Sequence, residues 1–485
     1  MIHSNRCHLD EFADRLRGDD VLEQLRAGLI GEGTTFESPF GKQNLVYADY
    51  VASGRALRQI EEFILEKVLP FYANSHSEAS HCGNYITQMR KRARSIVAEQ
   101  CGADGDYATV FCGAGATAGI NKLVYLLGVS DEVARGNNPL VIIGPYEHHS
   151  NILPWRECGA EVLEISESAD GGPDLSQLEN VLKLANDRMV VGAFSATSNV
   201  TGIVTDVDRV SELLNRYGAI SVWDYAGGAP YLKIDMKAGT RFSKDAVVLS
   251  PHKFIGGPGA SGIMIVRKSL VIRSCPVTPG GGTVLFVSPE AHDYSEEIET
   301  REEAGTPNVI GDIRAALCFL VKDVIGQTFL DRRHKELRER ALAVWSENPN
   351  IEILGKSAAN QHLPIFSIRV RNHKTGETFH HQKFTRTLSD RFGIQARGGC
   401  ACAGPYAHRL LNIDDEQSEL IRADILAGDE RLKPGWTRLN LSVLMDDAKA
   451  DYVIRSVDSL AYGGPGISEA QPSEFQLNKL CDPVV

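Results

Sequence analysis

From residue 107 onward, the apolar positions of the chain fall into short continuous runs separated by stretches of helical spacing. The runs cover residues 108–112, 140–144, 161–165, 189–194, 220–223, 246–249 and 261–266, each of strand length. Segments 116–127, 175–185 and 207–217 repeat their apolar residues at helical intervals and separate most of the runs. Strands that are apolar throughout are those buried on both faces, so the alternation predicts an α/β architecture with a mainly parallel, seven-stranded sheet covered by helices. Ligands of such sheets bind at the carboxyl ends of the strands, and the polar residues that follow each run should therefore converge on one crevice.

Before this region, residues 1–45 read as a helical lead-in, with Leu9, Phe12, Leu16, Val21, Leu22 and Leu25 in broken helical periodicity. Residues 47–54 read as a short strand running into a turn of small residues, 56–69 as an amphipathic helix, and 86–100 as a basic helix. His76 and His81 fall in the polar loop between these helices, where a solvated side chain is the simplest reading. The expected division is a large domain over 46–310, a smaller C-terminal α/β domain over 311–465 and a polar tail over 466–485.

With 485 residues, of which 43% are hydrophobic and 24% charged, the chain can bury a large core. A formal net charge of −12 leaves no broad cationic field for nucleic acid or anionic lipid. No run is long enough to span a bilayer and the first residues lack a signal-peptide core, so a cytoplasmic protein is expected. Ten scattered cysteines fit reduced thiols better than a disulfide framework, and only Cys400 and Cys402 lie close together.

The chemistry is concentrated at the ends of the apolar runs. The run 246–249 leads into Ser250-Pro251-His252-Lys253, then Phe254 and the glycine-rich Gly256-Gly257-Pro258-Gly259. A lysine directly after a buried strand can have its ammonium destabilised by desolvation and serve as a nucleophilic amine, the requirement for a Schiff base. Gly113-Ala114-Gly115-Ala116-Thr117 follows the first run and opens a helix, offering backbone N–H groups and a hydroxyl to a phosphate. His148 follows the second run, Asn199 the fourth, and Asp224 the fifth, where a carboxylate behind a buried Val-Trp pair needs a cationic partner. Each residue alone could be a cap or a core hydrogen bond. Together, a phosphate cradle, a stacking imidazole, a carboxylate and a strand-end lysine meet the needs of pyridoxal phosphate, with the carboxylate keeping the pyridine nitrogen protonated.

These segments resemble the class V aminotransferase family of fold type I pyridoxal-phosphate enzymes, and within it the cysteine desulfurases and selenocysteine lyases. The resemblance is carried by Glu147-His148-His149-Ser150-Asn151, Ser198-Asn199-Val200-Thr201-Gly202, Asp224-Tyr225-Ala226, Ser250-Pro251-His252-Lys253, Ala304-Gly305-Thr306-Pro307-Asn308 and Arg397-Gly398-Gly399-Cys400-Ala401-Cys402-Ala403. It implies that Lys253 bonds the cofactor, Asp224 pairs with its ring nitrogen and His148 stacks on the ring. It further places Asn199 near the ring hydroxyl, and Ala116, Thr117, Ser250 and His252 around the phosphate. Thr306 would reach the phosphate of a partner subunit, which implies a homodimer. Asn151, Arg397 and Arg438 would contact the substrate, Arg438 by holding its α-carboxylate with a guanidinium fork. The bland alternative for Arg438 is a surface charge on a strand.

Cys402 matches the position of the sulfur-accepting nucleophile, five residues after Arg397 in a loop of small residues. The expected activity is conversion of L-cysteine to L-alanine with sulfur left on Cys402 as a persulfide for an acceptor protein. Alternatives are a carbon–sulfur lyase or another class V enzyme acting on a modified amino acid, or a non-catalytic sulfur-assembly scaffold. Two cysteines make an incomplete metal clip, and no metal is expected. Two features depart from the family pattern: Gly227 stands where glutamine is usual, and residues 412–436 form an acidic, partly helical insertion.

Overall fold

The structure is a computed structural model and describes residues 7–74, 78–185, 187–356, 358–359, 361–372 and 375–463. His76 and the tail 466–485 lie outside the described residues. The seven apolar runs form one sheet of strands β1 (Tyr107–Cys112), β2 (Leu140–Ile143), β3 (Glu161–Glu164), β4 (Val190–Ser195), β5 (Ile220–Asp224), β6 (Ala246–Leu249) and β7 (Gly262–Arg267). Their spatial order is β1-β7-β6-β5-β4-β2-β3. Only β7 runs antiparallel to its neighbours, β1 and β6, while the remaining pairs are parallel.

The reason for the continuous apolar runs is visible in where successive residues point. Phe111, Val247, Ile263 and Ile265 face one core, whereas Val110, Val248, Met264 and Val266 face the other. A two-residue period thus places the side chains of the central strands alternately against the two layers of helices, while edge strand β3 keeps Glu161 exposed and its other residues half-buried. Helices α1 (His81–Gln100) and α3 (Val309–Ile325) cover the first face, and α2 (Gly115–Leu126) covers the second. Burying each large aliphatic side chain contributes roughly 1.5–3 kcal/mol, so the two layers hold the sheet edges and strand ends rigidly in register. Ser80 caps α1 by accepting from Gly83 N, and Asn308 caps α3 by accepting from Gly311 N.

A second sheet contains β8 (Ile351–Ile353), β9 (Ile365–Val370), β10 (Arg397–Gly399) and β11 (Trp436–Asn440) in the order β8-β9-β11-β10, all antiparallel. Its core takes Leu337, Ala341 and Trp345 from helix Gln327–Trp345, and Val453, Ile454 and Val457 from helix Asp447–Ala461.

Side-chain packing crosses the divisions expected from sequence. Val46, Ala48 and Tyr50 pack in the second core, while α3, which a boundary at 310 would assign there, is buried in the first. Leu9, Phe12, Leu16 and Leu25 of the N-terminal helices also join the first core. Two further differences are local. A polar hairpin pairs Thr35–Ser38 with Gly41–Asn44, and the helix expected over 56–69 is α-helical only at Arg58–Phe63 before it widens to a π turn at Ile64–Val68. The inserted segment forms helix Asp415–Leu426, which buries none of its residues. Among the described residues, no helix is long and apolar enough to cross a membrane.

Candidate active site

The carboxyl ends of β1, β4, β5 and β6 open into a cleft of about 200 Å³. Ala116, Thr117, His148, Asn199, Asp224 and Ser250 line it, as do His252, Lys253, Arg397, Cys402 and Arg438. Larger cavities of about 820 and 610 Å³ lie elsewhere and contain none of these residues. The convergence of strand ends therefore marks this cleft more clearly than its size does.

Lys253 ends a short 3-10 turn that continues β6. This turn is clamped by close backbone approach: Gly54 N donates to His252 O at 2.9 Å, and a Cβ on Gly54 would stand 1.7 Å from Phe254 O. Burial pushes the Lys253 ammonium down to about 8, opposed by the Asp224 carboxylate. Asp224, at the end of β5, is buried and accepts from Ala226 N at 2.7 Å. Burial pushes its carboxyl up, while the Ala226 N–H and the charge of Lys253 pull it down.

On the other side of the cleft, α2 begins at Gly115 with φ +63, a left-handed conformation that suits glycine. A Cβ there would meet Ser250 Oγ at 2.6 Å, so Ser250 can approach and accept from Ala116 N at 3.0 Å. Thr117 Oγ1 and Ser150 Oγ are 2.7 Å apart. The start of a helix, two hydroxyls and His252 together make a donor set suited to a phosphate. Asn199 donates from Nδ2 to Ala401 O at 2.9 Å, and its buried Oδ1 has no partner. An orphaned acceptor of this kind is expected to meet a donor from a ligand. The residues present therefore fit a cofactor carrying a phosphate, a group that pairs with a buried carboxylate, and a carbonyl within reach of a lysine.

His148 is held by Ser150, whose N–H donates to His148 Nδ1 at 3.1 Å. Burial, with Lys253, His149 and Arg438 nearby, pushes it down to about 4, leaving a neutral ring at physiological pH. The next residue, His149, takes a supporting place not anticipated from sequence. Its ring Nε2 accepts from Gly404 N at 3.0 Å, and its backbone N–H donates to Cys402 O at 2.9 Å. Together with Asn199, His149 pins the cysteine loop, in which Ala401 and Cys402 have φ +54 and +56. Two successive non-glycine residues in this region are strained, and such strain persists only where the surroundings impose it. Cys402 is exposed on the cleft, while Cys400 is half-buried against the apolar cluster that contains Tyr146, Tyr406 and Trp436.

Arg397 and Arg438 face each other across β10 and β11. Arg438 is 3% exposed, which removes the surface-charge reading. Its Nη2 donates to Asp49 Oδ1 at 2.9 Å and its Nη1 to Asn199 O at 3.1 Å, while Arg397 Nε donates to Asp49 Oδ2 at 3.0 Å. In the sequence, Asp49 reads only as part of the short strand and turn over 47–54.

Two expected site residues lie away from the cleft. Asn151 is fully buried and donates to Glu147 Oε2 at 2.6 Å while accepting from Trp155 Nε1 at 3.2 Å. Its amide is committed to this network, which places it behind the site. Glu147 also accepts from Ser195 Oγ at 2.6 Å and Ser195 N at 2.8 Å, and burial pushes its carboxyl up to about 7. A carboxylate three residues after the apolar run 140–144 is the signal available for Glu147. Thr306 is exposed in the turn before α3 and does not line the cleft of its own chain. Gly227 does line it, and a Cβ there would make ordinary contacts with Thr197 and Asn199 at 3.5 and 3.6 Å.

A large domain of this topology, with a lysine following the sixth strand and a small antiparallel domain beside the cleft, defines a fold type I architecture. The apo structure of a cysteine desulfurase from Thermococcus onnurineus superposes with a TM-score of 0.74, covering 91% of this chain and 98% of that one at 23% identity. The sequence pattern of aminotransferase class-V matches residues 46–427, and the chain belongs to that family. Curated relatives include a probable cysteine desulfurase of Pyrococcus abyssi, 27% identical over 372 residues that cover 76% of this chain and 87% of that one. Another, from Halalkalibacterium halodurans, is 28% identical over 369 residues, covering 74% and 84%.

Proposed function

We propose that this protein is a pyridoxal-phosphate-dependent cysteine desulfurase that converts L-cysteine to L-alanine and carries the sulfur away on Cys402. The observation that carries the reading is the placement of an exposed thiol, Cys402, on the same cleft as Lys253, Asp224 and the Arg397–Arg438 pair. The family membership and the names of its relatives support the same reaction.

Lys253 Nζ would bond the cofactor, and Asp224 would hold a proton at its ring nitrogen. Ala116 N–H, Thr117, Ser250 and His252 would bind the phosphate, with His148 as the neutral ring stacked against the cofactor and Asn199 beside its hydroxyl. When bound, pyridoxal phosphate supplies an electron sink that labilises the bonds at the substrate's α-carbon. Arg438 and Arg397 orient the α-carboxylate, and Lys253 Nζ takes the α proton. The Cys402 thiolate attacks the substrate sulfur; an S–S bond forms, the carbon–sulfur bond breaks with its electron pair left on Cβ, and a proton completes alanine. The strained loop under Cys402 can then pass the persulfide to an acceptor. We place the enzyme in the cytoplasm as a homodimer in which Thr306 reaches the partner's phosphate site; its exposure in the single chain supports this.

The test is to incubate the purified, cofactor-loaded protein with L-cysteine and measure alanine and protein-bound persulfide. The expectation is stoichiometric alanine and a persulfide mapped to Cys402, lost in Cys402→Ser and retained in Cys400→Ala. Full turnover by Cys402→Ser would replace this reading with a carbon–sulfur lyase, and no adduct trapped at Lys253 by borohydride would replace it with a scaffold.

A further inference from the structure

Asp49 touches both arginines of the site through one carboxylate, with Oδ1 on Arg438 and Oδ2 on Arg397. The Asp49–Arg438 contact is dry, with Asp49 8% and Arg438 3% exposed, whereas Arg397 reaches Asp49 from the open side with its side chain 48% exposed. Arg397 and Arg438 are direct partners on adjacent antiparallel strands, an arrangement in which two like charges repel. Asp49 lies between them, so the cluster holds two positive charges and one negative, a net charge of one positive. Arg438 Nε is buried without a partner, and the cleft-lining position of both guanidiniums leaves them able to take a further anion.

We infer that Asp49 is the positioning and specificity-determining residue of the substrate-carboxylate site: it sets the arginine pair to accept one negative charge. This rests on the reading of Arg438 and Arg397 as the α-carboxylate receptor. By fixing one edge of each fork, the carboxylate pre-orients the remaining donors, so that less ordering is needed when substrate arrives. It also subtracts the charge that would otherwise draw amino acids with a second acidic group. Because Arg397 begins the strand that leads into the cysteine loop, the same contact holds the stem of the loop bearing Cys402 against the segment 48–50.

The experiment compares L-alanine and L-aspartate binding to the cofactor-loaded protein by calorimetry, a readout that needs no turnover. In Asp49→Asn, which keeps the shape and removes the charge, the ratio of aspartate to alanine affinity is expected to rise about tenfold. Asp49→Glu should return the ratio towards the wild-type value. Arg397→Gln should weaken alanine binding about tenfold, and adding Asp49→Asn to it should recover most of that loss, because the net charge returns to one positive. A merely structural aspartate would not produce this recovery. The double variant carries no unbalanced pair of like charges and decides the matter should Asp49→Asn alone fail to fold. An unchanged ratio in Asp49→Asn, or no recovery in the double variant, overturns the role of Asp49 alone. Absence of binding by either amino acid to the wild type overturns the carboxylate-receptor reading and the inference with it.

Discussion

Lys253 should titrate far below an ordinary lysine in the cofactor-free protein, and Asp224 should be what keeps it from falling further. Burial lowers the ammonium from 10.5 to about 8, with Asp224 the largest opposing influence. For a lysine the reactive form is the neutral amine, so reactivity rises with pH through this value. At pH 7 a group titrating near 8 is roughly one part in ten amine, whereas an unperturbed lysine is roughly one part in 3,000, a gain of about 300-fold in the nucleophilic form. Asp224→Asn removes the negative charge that stabilises the ammonium, and the midpoint should move below 8. The assay exposes cofactor-free protein to a small aldehyde across a pH series, reduces with borohydride and quantifies the Lys253 adduct by mass spectrometry. A wild-type midpoint above 10, or an upward movement in Asp224→Asn, would refute the electrostatic account.

Two further predictions concern the supports of the site. Gly115→Ala forces a left-handed non-glycine residue, at about 1 kcal/mol or more, and drives a methyl into Ser250 Oγ; cofactor retention on dialysis should fall at least about tenfold, and unchanged retention would remove the phosphate role from this turn. Glu147 has a folded-state pKa raised from 4.5 to about 7, so its contribution to stability is present below pH 4.5 and declines as pH rises towards 7. The loss amounts to about 3 kcal/mol by proton linkage, and Glu147→Gln should flatten that part of the stability–pH curve in denaturant titrations. A parallel curve for the variant would show that the buried carboxylate is not the titrating group.

The legible part of the molecule was local. Each of the seven strands lies within a few residues of a run expected from sequence; for the other six strands burial on both faces leaves its mark on consecutive positions, whereas edge strand β3, with Glu161 and Glu164, is only half-buried. Lys253, Asp224 and Ser250 could be placed at one crevice because parallel strands bring their carboxyl ends to one edge of a sheet. By contrast, the polar hairpin at Thr35–Ser38 and Gly41–Asn44 has no apolar alternation to announce it. The assignment of α3 to the first core also depended on packing, since a helix apolar nearly all round does not say which neighbour buries it.

Sequence by itself determined the sheet, the strand-end residues and the cysteine loop, since each is written in a short window with its own period or spacing. Tertiary structure alone decided how those parts bear on one another. Asp49 and Arg438 are 389 positions apart, and His149 and Gly404 are 255 apart, separations at which no periodicity survives. The same holds for Asn151, which its motif offers as a site residue but which the fold turns inward to Glu147. A side chain's type is carried in the chain, whereas its partner in a buried site is set by which distant segment folds over it, and at this cleft that segment is the one bearing Asp49.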